Sequence, residues 1–223
     1  MKVNSVFDLL GPVMVGPSSS HTAGAVRLAN MAAQILGKRV KQAKILLHGS
    51  FAETGQGHGT HLALIAGLMG MYPDDERIRQ APYLAEQEGI TVIFESAHLG
   101  DVHPNTARFY LTDVDGSEAV VTGASLGGGK IRITEVNSFE VEFSGEYPAL
   151  IVIYADHPGM VADITRQLAV QGINIAQMRV TREGKGQDAL AVIETDEKIS
   201  DDLVREIEKM PMITKTMAVD RLG

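Results

Sequence analysis

The 223-residue sequence contains no cysteine. This absence excludes disulfides, cysteine nucleophiles, and metal or iron–sulfur sites built on this chain's own thiolates. The sequence also lacks an apolar run long enough to span a bilayer, and its first residues lack the basic-then-apolar pattern of a secretory signal. A formal net charge of −8 argues against broad electrostatic attraction to nucleic acid or to an anionic membrane. We therefore expect a cytoplasmic protein with no nucleic-acid or membrane partner.

The first part of the chain mixes helical and strand patterns. Apolar spacing predicts a helix over 25–36, which ends at Gly37, and a second helix over 60–69. A short buried strand is predicted over 44–48, followed by a glycine-punctuated loop over 49–57. Several further strands are predicted between 91 and 143. These patterns indicate a mixed α/β domain.

The last part of the chain follows a different order. Turn-forming residues at Ser144–Pro148 separate it from the first part, and we place the boundary between domains 1–146 and 147–223. The remaining patterns read β-α-β-β-α-β, with Ser200 as an N-cap, which is the order of a ferredoxin-like split βαβ unit. The predicted fold class is therefore α+β, a mixed α/β domain followed by a ferredoxin-like βαββαβ domain.

The segment Gly16–Thr22 offers hydroxyls and an imidazole at the start of a helix. Helix N-termini bind anions, and an adjacent histidine adds a base that titrates near neutral pH. One capping serine would need no functional explanation, because serine commonly caps free helix N–H groups. Three serines followed by His21 exceed that need, so a ligand site and a structural cap both stay open. The adjacency of Ser20 and His21 alone does not establish a nucleophilic pair.

A second candidate segment is Thr54–His61, where three glycines suit an anion-binding loop that opens a helix. It lacks the lysine of a Walker A loop. His58 and His61 have a spacing that can bind a metal, although H-x-x-H alone is weak evidence and His61 can equally be a solvated helix residue. We place His58 in the site and leave the role of His61 open.

The glycine run at Ser125–Lys130 is a third candidate. Such a run between strands forms a bulge or wide turn, or presents backbone N–H groups to a carboxylate. Metal ligation by the polar residues around 95–103 is conceivable, but a solvated loop is the favoured interpretation there. A fourth candidate, Asp156–Ile164, is a strand-to-helix turn, and its residues alone favour a well-capped turn without a ligand.

Taken together, these segments resemble the β subunit of the iron–sulfur-dependent L-serine dehydratases. Gly16–Thr22, Gly49–Thr60 and Ser125–Gly129 match three ordered motifs of that family, and Asp156–Ile164 resembles the opening of an ACT domain. The resemblance covers essentially the whole chain. The first domain also resembles the allosteric substrate-binding domain of some phosphoglycerate dehydrogenases.

The resemblance implies an ammonia-lyase that converts L-serine to pyruvate and ammonia. It implies a [4Fe-4S] cluster, and because this chain has no cysteine, the cluster is expected on a partner α subunit, with no metal ligands in this chain and little activity from this chain alone. His21 and His58 are the candidate catalytic residues. The candidate substrate-binding residues are Ser18, Ser19, Ser20, Thr22, Thr60, Ser125, Gly127 and Gly128.

The resemblance to ACT domains implies self-association and an effector site, with L-serine as substrate and possible effector. The candidate effector residues are His157, Pro158, Gly159, Met160, Asn174 and Ile175. Two alternatives remain. The first is that the chain is a non-catalytic amino-acid sensor. The second is that it is a metal hydrolase with histidine ligands, and the lack of a convincing three-ligand set weakens this second alternative.

Overall fold

The computed structural model describes residues 13–55 and 57–222. The chain divides into two compact units, the first ending at Asn137 and the second beginning at Ser138. Within the described residues, no helix combines the length and apolarity needed to cross a membrane.

The first unit contains a mixed sheet. Its strands lie in the order β2-β1-β3-β4-β5. β1 and β2 run parallel, whereas β1 with β3, β3 with β4, and β4 with β5 run antiparallel. The strands are β1 (Val40–Leu47), β2 (Thr91–Ser96), β3 (Thr106–Asp113), β4 (Glu118–Gly127) and β5 (Lys130–Val136).

Helices of the first unit pack on one another and on this sheet. A π-helical turn (Ser19–Ala23) leads into α1 (Gly24–Leu36), followed by α2 (Ser50–Thr54), α3 (Thr60–Leu68), a 3-10 turn (Glu76–Gln80) and α4 (Ala81–Gln87). The helix α1 is buried along most of its length and ends at Gly37, whose φ of +90° is the left-handed conformation that glycine adopts without strain. Close packing of α1 on α3 requires glycine at position 67, because a Cβ there would overlap the Val26 carbonyl oxygen.

The second unit contains a four-stranded antiparallel sheet in the order β10-β7-β9-β8. Its elements are β6 (Phe139–Phe143), β7 (Ala149–Ala155), α5 (Met160–Val170), β8 (Ile175–Arg182), β9 (Asp188–Thr195), α6 (Asp201–Glu208) and β10 (Ile213–Val219). Both helices pack their apolar residues, such as Leu168 and Leu203, into one core with the sheet. Ser200 caps α6 by accepting a hydrogen bond from Leu203 N–H at 3.2 Å. The predicted βαββαβ order and the α+β fold class are confirmed.

The prediction of a loop over 49–57 is wrong in its first half, where α2 lies. Phe51 is fully buried, and the Gly49 carbonyl accepts hydrogen bonds from the backbone of Ala52 and Glu53 at 3.0 and 2.9 Å. Burial of one aromatic side chain thus stabilises a helical turn, although the flanking glycines made the sequence pattern indicate a loop. The division of the chain after Asn137 places β6 in the second unit, whereas the predicted domain boundary after residue 146 stays a prediction.

Glu194 is a buried carboxyl group of the second unit, with 7% of its surface exposed. Burial raises its pKa above the ordinary value of 4.5, and the negative charge of Glu146 raises it further. Because the pKa of this carboxyl is higher in the folded chain than in the unfolded one, Glu194 contributes stability that is complete below pH 4.5. This contribution is lost as the pH rises through the folded-state pKa. Glu194 therefore contributes less to stability at pH 7 than near pH 4.

We expect Glu194→Gln to raise the free energy of unfolding at pH 7 and to have less effect near pH 4. Denaturant titrations at the two pH values measure this. Glu206→Gln, the same change at an exposed position of α6, is the control and should leave the free energy unchanged. Equal stability of Glu194→Gln and the wild type at pH 7 would contradict the prediction.

Candidate functional site

Three of the predicted motifs meet in the first unit around the π-helical turn. Ser18 is the N-cap of this turn, and its hydroxyl accepts a hydrogen bond from His21 N–H at 3.2 Å. Short π-helical segments are rare and occur frequently at functional sites. The turn brings the Ser18, Ser20 and His21 side chains together, because Ser18 Oγ lies 3.3 Å from Ser20 Oγ and Ser20 Oγ lies 3.1 Å from His21 Nδ1.

The glycine run after β4 holds this turn in place. Ser125 Oγ donates a hydrogen bond to the Ser20 carbonyl at 2.9 Å, and Gly128 N–H donates to Ser19 Oγ at 3.2 Å. Arg27 Nη1, on α1, donates to the Gly129 carbonyl at 2.9 Å. Ser125 is fully buried, so its hydroxyl anchors the turn in this structure. A role in substrate binding for Ser125, Gly127 and Gly128 stays a prediction.

His21 is the centre of the site and is 8% exposed. Its Nε2 lies 3.2 Å from Ser50 Oγ, 3.1 Å from Thr54 Oγ1 and 3.5 Å from the Ser50 carbonyl oxygen. Its ring packs edge-on against Phe51 with a centroid separation of 5.3 Å. The helix α2 therefore supplies all of these contacts to the imidazole.

The hydroxyl of Thr54 indicates which nitrogen of His21 carries the proton. Thr54 Oγ1 donates to the Ser50 carbonyl at 2.9 Å, so its lone pairs are available to Nε2. A neutral imidazole has one N–H donor and one acceptor nitrogen. This network favours the proton on Nε2 and leaves the Nδ1 lone pair facing the Ser20 hydroxyl. The basic atom of His21 is then Nδ1.

His58 lies beside His21, with ring centroids 5.0 Å apart. Its Nδ1 is 3.0 Å from the Thr54 carbonyl oxygen. Because a carbonyl only accepts hydrogen bonds, Nδ1 carries the hydrogen and the basic lone pair of neutral His58 is on Nε2. His58 is exposed, whereas His21 is buried. The pair thus combines a buried base held by hydroxyls with an accessible one.

The predicted ligands Thr22 and Thr60 lie below the surface, with 3% and 0% of their areas exposed. Their hydroxyl oxygens have no hydrogen-bond partner among the described residues. Burial separates these hydroxyls from solvent in this structure, so their binding of substrate stays a prediction.

The structure separates His61 from the histidine pair. Its ring packs on Phe94 at 4.4 Å, and burial lowers its pKa. Among residues 13–55 and 57–222, no three histidine or acidic side chains are grouped so as to hold a metal ion. The two residues that sequence reasoning missed are Ser50 and Thr54. Their spacing of four within the Gly49–Thr60 motif was the available signal, because it places two hydroxyls on one face of a helix.

The two candidate effector segments of the second unit lie at opposite ends of its sheet. His157 follows the end of β7, whereas Ile175 pairs with Thr195 beside the start of β7. A strand of this length spans about 20 Å at roughly 3.3 Å per residue. Asn174 is engaged locally, since its side chain donates to Asp196 at 2.6 Å. Within one chain, the two segments therefore do not form a single pocket.

The environment of His21 predicts its pH dependence. Burial lowers the pKa of His21 below its ordinary value of 6.5, the Ser50 carbonyl partly offsets this, and the charge of His58 lowers it further. His21 is therefore neutral, and able to accept a proton, at pH 7. The unfolded chain binds more protons than the folded one between the lowered pKa and 6.5, so stability present above pH 6.5 is lost as the pH falls through the folded-state pKa.

We expect an NMR titration of the His21 ring to show a midpoint below 6.5. In His58→Gln the midpoint should rise, because one repulsive charge is removed, but it should remain below 6.5 because burial is the larger cause. A midpoint at or above 6.5 in the wild type would contradict the assigned environment.

The fold and the site define a two-unit α+β protein with a serine–histidine site in its first unit and an ACT domain as its second. The ACT domain model matches residues 149–211, and the serine dehydratase beta chain model matches residues 5–89. The chain belongs to the serine dehydratase beta chain family.

Relatives of known name support this assignment over nearly the full chain. The "Probable L-serine dehydratase, beta chain" of Bacillus subtilis is 45% identical over 219 residues, which cover 98% of this chain and 99% of that one. The "L-serine dehydratase, beta chain" of Peptoniphilus asaccharolyticus is 36% identical, with 97% and 98% covered. A "D-3-phosphoglycerate dehydrogenase" of Synechocystis is 29% identical over 87% of this chain, which spans 35% of that enzyme.

Proposed function

We propose that this chain is the β subunit of an L-serine ammonia-lyase, which converts L-serine to pyruvate and ammonia together with an α subunit. Its membership of the serine dehydratase beta chain family supports the reaction class. The observation that carries the proposal is the contact of His21 with hydroxyls from two separate motifs, at Ser20, Ser50 and Thr54. The expected location is the cytoplasm.

The reaction requires a base for the α-proton of serine, hydrogen-bond donors for its carboxylate, and departure of its β-hydroxyl. In the proposed site, His58 Nε2 and His21 Nδ1 are the proton-accepting atoms, and the exposed position of His58 gives it direct access to a bound substrate. Ser18 and Ser20 are the candidate donors on the Nδ1 side of His21. Buried His21 acts through the Ser20 hydroxyl, whose oxygen is 3.1 Å from the basic nitrogen Nδ1.

The proposed [4Fe-4S] cluster belongs to the α subunit. The residues of this chain do not fit it, because the sequence supplies no thiolate and the described residues include no three-ligand group. In the proposed division of labour, this chain contributes the hydroxyls and imidazoles of a shared site. Its ACT domain contributes self-association and regulation, for which L-serine is the candidate effector.

An anaerobic assay of pyruvate formation from L-serine tests the proposal. We expect activity from the reconstituted pair of this chain and its cognate α chain, and little activity from either alone. Turnover by this chain alone would overturn the subunit assignment. Absence of turnover by the correctly assembled pair would overturn the reaction.

The ACT domain favours one alternative, a non-catalytic amino-acid sensor. Calorimetric titration of the full chain with L-serine distinguishes the two functions when it is combined with the assay. Tight binding together with no effect of this chain on the activity of the α chain would favour the sensor. Dependence of turnover on this chain favours the enzyme subunit.

A further inference from the structure

A second pocket lies on the first unit at the carboxyl ends of β1 and β2. These strands are parallel neighbours, with Leu47 beside Ser96, and an open pocket of about 470 Å³ lies among the residues that follow them. This volume is within the range of small-molecule sites, and the carboxyl ends of parallel strands are a common place for them. The lining residues include His48, Glu53, Ser96 and His98.

Two imidazoles of this pocket are fixed as hydrogen-bond donors. His48 Nδ1 accepts a hydrogen bond from Leu99 N–H at 3.2 Å, and His98 Nδ1 accepts one from Gly100 N–H at 3.3 Å. A nitrogen that accepts a hydrogen bond carries no proton, so in each neutral ring the hydrogen is on Nε2. The two rings lie 5.4 Å apart and nearly perpendicular. Two neighbouring rings that each carry an N–H group have the chemistry to bind the two oxygens of a carboxylate.

Glu53 adds a negative charge to the same lining. A carboxylate opposes the binding of a multiply charged anion such as phosphate, and it attracts an ammonium group. Donors for a carboxylate and an acceptor for an ammonium group together match a zwitterion. We propose that this pocket is a second small-molecule site, separate from the His21 site, and that it binds a small α-amino acid.

The position of α2 gives this site a consequence for the first one. Ser50 and Thr54 of this five-residue helix contact His21, whereas Ala52 and Glu53 line the second pocket. An amino acid bound there contacts the same helix that orients the His21 imidazole. The inference does not depend on the proposed reaction, because it concerns binding to this chain alone.

Histidine-detected NMR of the full chain, with ¹⁵N-labelled imidazoles, tests the proposal. The probes are L-alanine, which lacks the hydroxyl that the proposed reaction removes, and acetate, methylammonium and inorganic phosphate. We expect L-alanine to shift the ring signals of His48 and His98 at concentrations about tenfold lower than acetate or methylammonium do, which corresponds to about 1.4 kcal/mol. Glu53→Gln should abolish the preference for L-alanine over acetate.

A matched control is available in His103. Its Nδ1 accepts a hydrogen bond from the backbone N–H two residues later, at 3.1 Å, as His98 does, but it is not part of the pocket lining. We expect His98→Ala to weaken L-alanine binding about tenfold or more and His103→Ala to leave it unchanged. The shifts should persist in His21→Ala.

Three results would overturn the inference. The first is the absence of shifts at His48 and His98 with every probe at concentrations of about 50 mM, because a site with a dissociation constant above that concentration would be too weak to be useful. The second is tighter binding of phosphate than of L-alanine, which would contradict the zwitterion. The third is loss of the shifts in His21→Ala, which would assign them to the first site.

Discussion

Replacing His21 by alanine is expected to lower kcat of the reconstituted enzyme by about 10²–10⁴-fold, the range for removal of a positioned acid–base group. Buried His21 links the two hydroxyls of α2 to the Ser20 hydroxyl, whereas the neighbouring His58 ring is held at the Thr54 carbonyl. Initial rates of pyruvate formation over a range of L-serine concentrations separate the effect on kcat from that on KM. We expect the larger change in kcat.

His61→Ala is the matched control for this experiment. His61 is a half-buried histidine of the same unit, but it packs on Phe94 rather than on the hydroxyl cluster. It should retain kcat close to that of the wild type. If kcat and KM of His21→Ala both equal the wild-type values, the assignment of the site to His21 is wrong.

Replacing Gly24 by alanine is expected to destabilise the protein by about 3 kcal/mol. Glycine to alanine within a helix ordinarily stabilises by up to about 1 kcal/mol, because alanine loses less backbone entropy on folding. At Gly24, however, a Cβ would overlap Ser125 Oγ and lie 2.9 Å from Ser125 Cβ. The new methyl group must push α1 and β4 apart, which also strains the Ser125 contact with the turn. Denaturant unfolding measures the loss.

The clash can be tested by rescue. Ser125→Gly removes both atoms that meet the new methyl group, at the expense of about 1 kcal/mol for the lost hydrogen bond to Ser20. The double variant should therefore be more stable than the sum of the two single changes predicts. Gly57→Ala, where the nearest atom to a Cβ is 3.7 Å away, is the control and should have a small effect. Strict additivity of the two changes would contradict a direct clash.

Periodicity predicted most of the second unit, because its two helices bury one apolar face each and its central strands β7 and β9 are continuous apolar runs. The same reasoning placed α1, α3 and the central strands of the first unit. It could not reveal α2, since five residues between glycines give no period and Phe51 is its only fully buried side chain. It also missed α4, whose seven residues depend on burial of Ala81 and Ala85.

The candidate site was predictable in its parts but not in its arrangement. Residue types identified the serines, His21 and His58. Composition gave no means of knowing that Ser125 hydrogen-bonds the Ser20 carbonyl rather than facing a ligand, because that depends on how closely β4 approaches Gly24. The proton positions on His21 and His58 likewise follow from neighbouring oxygens that only the fold brings near.

The anchor between Ser125 and Ser20 spans 105 residues of sequence, and the one between Gly128 and Ser19 spans 109. During synthesis, the serines and both imidazoles leave the ribosome long before the strand that fixes them. Contacts so distant in sequence form late, because the chain between them must first be ordered. A nascent or truncated chain that ends before β4 thus contains both imidazoles but lacks the hydrogen bonds that hold the serine turn in place. The maturation of this site is consequently a late event in the life of the polypeptide.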